Sequence, residues 1–181
     1  MGVPHDPEEV IAIVDENDAV VGKGKRKDVH SSSAYLPHRH VQVLVVNASN
    51  KILLQFRTNP DGGPPFRDYS AGGHFPYNDD YIDGAVRETA EELGIKSAGR
   101  NFRFMFKHRL LSKDGNPNHY VFTALFELRG DYDISEIEPD PQEVLSVKYY
   151  SANEIKRLIR EGKILRNIAY MLSEYMRIRH L

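Results

Sequence analysis

The sequence predicts a mixed α+β fold, and three observations carry that expectation. Short apolar runs bounded by turn residues recur in pairs, as the strands of hairpins do. Longer segments place apolar residues three and four positions apart, as amphipathic helices do. The 181 residues fit one domain spanning 1–181 with a sizeable single core, which strands and helices would share in packed layers.

Taken in chain order, Val10 to Val14 and Ala19 to Gly22 flank the acidic turn Glu16-Asn17-Asp18 and read as a hairpin, an N-terminal extension over residues 1–30. The basic run Lys23 to Lys27 reads as a solvated strand end or loop. His38 to Val46 alternates into an apolar strand, Asn47 to Asn50 turns it, and Lys51 to Arg57 returns. The Pro/Gly-rich segment Asn59 to Pro65 is a loop. Asp68 to Ala71 reads as a short strand feeding a Gly72-Gly73 turn, followed by a helix from Tyr81 to Leu93. Phe102 to Leu111 and Tyr120 to Leu128 form a second hairpin around Asp114-Gly115-Asn116-Pro117, and Leu145 to Tyr150 is one more strand. Ser151 and Glu154 make a capping box ahead of Ile155, Leu158 and Ile159, and Gly162 ends that helix. Ile164, Ile168, Leu172, Tyr175 and Met176 mark a last amphipathic helix within residues 163–181.

Composition narrows the function classes. The net charge of −2 and a pI near 6.4 argue against a nucleic-acid scaffold as partner. The absence of cysteine excludes disulfides, thiolate metal sites and a cysteine nucleophile. Met1 to Glu9 contain neither a basic n-region nor an apolar run, and no later stretch is apolar enough to span a membrane, so a cytoplasmic protein without a membrane partner is expected. A homodimer is left open.

The chemistry is concentrated between residues 73 and 95. On a helix from Tyr81 to Leu93, Glu88, Glu91 and Glu92 fall within roughly 100° of arc. Ile82, Val86, Thr89, Ala90 and Leu93 would cluster on the opposite side. Asp79 and Asp80 supply N-cap chemistry and Gly94 a C-terminal cap. A solvated acidic face is the bland account of such a helix. Two local penalties weigh against it. Glu88 and Glu92 are like charges at i,i+4, worth roughly 0.2–0.5 kcal/mol, and Glu91 and Glu92 oppose the helix dipole in the last turn by roughly 0.3–1 kcal/mol. A cation held by the carboxylates would relieve both, and clustered carboxylate oxygens suit Mg²⁺ or Mn²⁺.

This segment resembles a Nudix box, whose pattern is G-x(5)-E-x(7)-R-E-U-x-E-E-x-G-U with U a bulky apolar residue. Gly73, Arg87, Glu88, Glu91, Glu92, Gly94 and Ile95 match it, Asp79 replaces the first glutamate, and Thr89 takes the first U position. The resemblance implies an α/β/α sandwich with a mixed sheet between helices. It also implies a hydrolase that cleaves a nucleoside-diphosphate-linked or other organic diphosphate with metal-activated water, acting on a small-molecule substrate. Glu88, Glu91 and Glu92 match the metal positions and Arg87 the residue that holds them. Outside the helix, Glu143 is a candidate further carboxylate, against a surface turn residue. Arg57 is a candidate phosphate clamp, against an exposed strand-end arginine. Tyr69, Phe75, Tyr77 and Tyr120 could stack on a base or serve as core and loop anchors.

A finer resemblance concerns the branch containing type I isopentenyl diphosphate isomerase, carried by the N-terminal hairpin, by His30, His38 and His40, and by the pair Gly73-His74. That family sets a catalytic cysteine shortly before the Gly-His pair; here the matching position is Gly72. Its later glutamate pair is also missing from Asn118-His119-Tyr120-Val121. The branch implies a second metal at His30, His38 and His74. Without the thiol, isomerase activity is the minor alternative, and a ligand sensor without turnover is a third.

Overall fold

The structure is a computed structural model describing residues 6–31, 35–58, 64–111, 116, 118–139, 141 and 144–181. Its strands are β1 (Val10–Val14), β2 (Val20–Lys25), β3 (His38–Val46), β4 (Ile52–Arg57), β5 (Phe66–Asp68), β6 (Ala71–Gly73), β7 (Phe102–Leu111), β8 (Tyr120–Arg129) and β9 (Val144–Tyr150). The α-helices are α1 (Arg26–Val29), α2 (Tyr81–Leu93), α3 (Ala152–Arg160) and α4 (Arg166–Ile178).

β3 organises the sheet. It runs parallel to β8 along its whole length, from His38 opposite Val121 to Val46 opposite Arg129. Its other edge meets β1 at His38, β6 at Val41 to Val43 and β4 at Val46, all antiparallel. β7 pairs antiparallel with β8 as the second hairpin requires, although most of the turn between them, Asp114 and Gly115 included, lies outside the described residues. The sheet is therefore mixed, as expected.

Alternation along β3 explains both layers. Val41, Val43 and Val45 join a core cluster with Ala85 and Leu93 of α2, while Leu44 and Val46 join another with Ile155 of α3 and Ile168, Met171, Leu172 and Tyr175 of α4. Helices thus cover both faces, and the α/β/α arrangement holds. His38, His40 and Gln42 lie in the same alternation as Leu44 and Val46, but beyond the apolar cover of α4. There the sheet face is lined by a cavity of about 560 Å³.

Several local expectations need correction. The segment after β4 is two strands, with Gly72 and Gly73 inside β6, because both pair with β3 (Gly73 with Val41, Gly72 with Gln42). Tertiary pairing overrides the turn tendency of a glycine pair. The second strand of the first hairpin extends to Lys25, and the basic run continues into α1. At the start of α2 only Asp80 caps: its carboxylate accepts from the Ile82 and Asp83 amides, with Asp83 completing a capping box. Gly94 closes the helix at φ +68°, the left-handed cap expected of it. Ser151 and Glu154 form their capping box, whereas Ile164 precedes α4 and bridges to Arg67.

Candidate active site

α2 packs on the sheet through its small residues Gly84 and Ala85, and the glutamates follow on that same buried face. Glu88 is 8% exposed and Glu92 7%, while Glu91 is exposed. The expected opposition between an acidic face and an apolar stripe is therefore wrong for this helix. Ile82 and Val86 lie on the flank of the core, and two of the three glutamates point inward.

What receives them is β6. An added Cβ on Gly73 would lie 2.6 Å from Glu88 Oε2, and one on Gly72 would lie 2.2 Å from Gln42 Oε1 and 2.5 Å from the Val41 carbonyl oxygen. Both Cβ positions are already filled, Glu88 on the helix side and Gln42 on the cavity side. The two glycines form a thin partition with carboxylates against one face and the cavity against the other. The Gly72 amide also donates to Glu92 Oε2 at 3.2 Å.

Each carboxylate has its own partners. Glu92 accepts from Gln55 Nε2 at 2.7 Å, and Arg57 Nη1 is 3.8 Å from its other oxygen and 3.5 Å from Asp68. Arg57 is buried at 9% exposure, so it is no exposed strand-end residue. Arg87 Nη2 lies 2.8 Å from Glu88 and also donates to the His74 carbonyl, while Nη1 donates to Glu91 at 3.0 Å. Arg87 therefore bridges Glu88 and Glu91, while Glu92 is held by Gln55 and the Gly72 amide. Burial pushes Glu88 up to about 8, Arg87 opposing the rise and Glu91 and Glu9 adding to it. Burial also raises Glu92 well above the ordinary range, with Glu88 next in effect. Such a site disfavours uncompensated negative charge and gains most from a cation.

Beyond the partition, His30, His38 and His74 bring one ring nitrogen each within 4.8 Å of one another, with His30 Nε2 and His74 Nε2 3.0 Å apart. His38 Nδ1 is tied to the Leu36 carbonyl at 2.7 Å, which leaves Nε2 as the lone-pair nitrogen. That nitrogen and His74 Nδ1 are buried without a hydrogen-bond partner among the described residues. Burial holds His38 down to about 4 and His74 well below the usual histidine range, so both are neutral and available as ligands. Three neutral imidazoles fit a cation that accepts nitrogen donors. On β8, Val121 and Thr123 stand opposite His38 and His40, and no carboxylate joins them from that strand.

Of the sequence candidates, the structure brings Arg87, Glu88, Glu91, Glu92 and Arg57 to one side of the partition and the histidines to the other, with His74 linking them through its carbonyl. Among the described residues the Asp79 carboxylate makes no hydrogen bond or ion pair with Arg87, Glu88, Glu91 or Glu92, its amide donating to the Pro76 carbonyl, and Glu143 lies outside the described residues. Tyr69 and Tyr120 are buried. Gln42, Gln55 and Glu9 escaped the sequence reading; the only signal for the two glutamines is a polar residue flanked on both sides by apolar ones, Val41 and Val43 for one and Leu54 and Phe56 for the other.

A mixed sheet between helices, with a glutamate-rich helix end set against paired glycines, defines a Nudix-type hydrolase. The NUDIX domain family model matches residues 36–169, and the chain belongs to the Nudix family. It is 30% identical over 179 residues to an uncharacterized Nudix hydrolase of Streptomyces coelicolor, covering 98% of this chain and 92% of that protein. It is 27% identical to human isopentenyl-diphosphate delta-isomerase 2, over 86% of this chain and 75% of that one, consistent with the isomerase-like branch. Among solved structures, DR0079 from Deinococcus radiodurans superimposes with a TM-score of 0.71 at 20% identity, over 92% of this chain and 98% of that one. Nudix enzymes generally use divalent metals, and among the described residues no helix is long and apolar enough to cross a membrane.

Proposed function

We propose that this chain hydrolyses a diphosphate linkage in a nucleoside-diphosphate-linked or other organic diphosphate, with Glu88, Glu91 and Glu92 holding Mg²⁺ or Mn²⁺. The observation that carries this reading is the burial of Glu88 and Glu92 against the Gly72-Gly73 partition, with Arg87 shared between Glu88 and Glu91. Oxygen donors of this kind suit a hard cation. When bound, such an ion neutralises phosphate charge and makes water acidic enough to attack phosphorus near neutral pH.

The protein's own contribution is positional. Arg87 fixes the carboxylates of Glu88 and Glu91, and Gln55 with the Gly72 amide fixes Glu92. A carboxylate of this group takes the proton from the attacking water. Arg57, beside Glu92, is placed to offset charge on a bound phosphate. On the other side of the partition, the cavity lined by Leu110, Val121, Thr123, Gln42 and Tyr69 lies beside His30, His38 and His74, which hold a second cation.

Isomerisation is disfavoured by geometry as well as composition. The position matching the isomerase cysteine is Gly72, and its Cβ space is taken by Gln42 and the Val41 carbonyl. The deciding experiment is a screen of organic diphosphates with Mg²⁺ or Mn²⁺ in ¹⁸O-water. Label in a phosphate product, with loss of activity in EDTA, is expected. Label on carbon, or full activity in EDTA, rules the mechanism out, and tight binding without any phosphate release points to a sensor.

A further inference from the structure

The cradle built by α2 has a neighbour that the Nudix box does not contain. Glu9 precedes β1, outside the residues 36–169 matched by the family. Its side chain is 16% exposed, and Oε1 lies 3.6 Å from Arg87 Nη2. The same nitrogen is 2.8 Å from Glu88, and the sister nitrogen is 3.0 Å from Glu91. Three carboxylates therefore surround one guanidinium, and Glu9 stands just beyond hydrogen-bond range of it.

The place of Glu9 is fixed by backbone. Its carbonyl accepts from the Arg26 amide at 2.8 Å, its amide donates to Asp6 at 3.2 Å, and the next residue, Val10, accepts from the Tyr77 amide at 2.8 Å. Tyr77 lies in the loop that leads into α2. The hairpin and the box are thus pinned together at this point, and the carboxylate is held there with an ion pair to Arg87 that is longer than a hydrogen bond, Arg26 also attracting its charge. A largely buried carboxylate so placed gains from a closer partner.

We propose that Glu9 is a positioning residue for the metal cradle, the group that receives Arg87 Nη2 when a divalent cation takes Glu88. The inference rests on the proposed metal role of Glu88. A dication at Glu88 repels the guanidinium 2.8 Å away. Arg87 stays tethered, because Nη2 also donates to the His74 carbonyl. Closing the 3.6 Å gap to Glu9 keeps that nitrogen paired after a shift of under about 1 Å, to ordinary hydrogen-bond distance. Without the Glu9 charge, Arg87 either competes with the cation for Glu88 or loses its second anionic partner, and both weaken metal binding.

The test uses the full chain and Mn²⁺ alone, with free Mn²⁺ followed by electron paramagnetic resonance. Glu9→Gln is expected to weaken Mn²⁺ binding roughly five- to tenfold, the scale of one net hydrogen bond lost at Arg87 Nη2. Glu9→Asp keeps the charge and should restore affinity to within about twofold of wild type. In an Arg87→Gln background, Glu9→Gln should change affinity by less than about twofold, because the partner it acts through is gone. Wild-type affinity in Glu9→Gln overturns the proposal. So does a full five- to tenfold loss in the Arg87→Gln background, which would make Glu9 act on the cation directly. The box assignment is checked separately by Glu92→Gln. If wild type and Glu92→Gln bind Mn²⁺ equally, the metal reading itself fails and the role of Glu9 falls with it, whatever the hydrolysis assays show.

Discussion

Restoring a thiol at position 72 is the sharpest perturbation the partition offers. Gly72→Cys supplies the residue type that the isomerase-like branch carries there, yet the structure has no room for its first carbon. A Cβ would sit 2.2 Å from Gln42 Oε1 and 2.5 Å from the Val41 carbonyl oxygen. The glutamine end can swing away; the carbonyl cannot, since it belongs to β3, which pairs with β6 at this register. Relief requires the two strands to part locally, an overpacking cost of roughly 1–3 kcal/mol. For a chain of this size each kcal/mol lowers Tm by about 2–4 °C, so a fall of about 2–12 °C is expected. Gly72→Ala should fall by a similar amount. Adding Gln42→Ala should recover only part of the loss, because the Val41 contact remains. Calorimetry reads the stability, and proton exchange from deuterated water into isopentenyl diphosphate reads the chemistry. No exchange is expected in wild type or in Gly72→Cys. A Gly72→Cys protein with wild-type Tm would refute the packing argument, and exchange in either protein would refute the exclusion of isomerase chemistry.

Three further predictions follow from the same geometry. Glu88→Gln or Glu92→Gln should lower kcat by roughly two to four orders of magnitude while the protein remains folded by circular dichroism; wild-type turnover in both would remove these residues from the mechanism. Gly73→Ala places a methyl 2.6 Å from Glu88 Oε2, so Mn²⁺ affinity should fall by tenfold or more with only a small change in Tm, since the carboxylate end can move; unchanged affinity would show that the Glu88 position is immaterial. Acid stability should depend on His38, whose folded pKa of about 4 lies below its ordinary 6.5 because the ring is buried. A depressed histidine contributes stability that is present above the unfolded pKa and is lost as pH falls through the folded one. Metal-free wild type should therefore lose up to roughly 3 kcal/mol between about pH 6.5 and 4 through this group, and denaturant titrations of His38→Asn should show a shallower acid limb; identical limbs would contradict the burial argument.

The parts of the fold legible in sequence are those set by local repetition. The alternation through Val41 to Val46 fixed β3, and the caps at Gly94 and at Ser151 with Glu154 marked helix ends that the structure retains. The candidate site was legible for the same reason, because Arg87, Glu88, Glu91 and Glu92 lie within two turns of one helix. What escaped depends on contacts between distant segments. Helical periodicity alone could not show that Glu88 and Glu92 point into the protein, because their acceptor is β6, itself misread as a turn. Glycine pairs favour turns through their backbone freedom, but Gly72 and Gly73 serve here through the volume they leave out. Glu9 lies 78 residues before Arg87 in the chain, and nothing local to either residue announces their meeting.

That difference separates two kinds of functional information in this chain. The glutamates state a chemistry that can be read wherever the motif occurs. The glycines state a spacing, and a spacing becomes visible only with both neighbours in place. Gly72 and Gly73 each admit a side chain from a different face of the sheet, Gln42 from the cavity and Glu88 from the helix. Enlarging either residue should therefore disturb a different function: position 73 the carboxylate cradle, position 72 the strand pairing and the cavity. A single alanine at each site distinguishes them, since loss of Mn²⁺ affinity is expected at 73 and loss of Tm at 72. If both substitutions produced the same pattern, the partition would be only a tight strand pair, and the separation between cradle and cavity would have no physical basis.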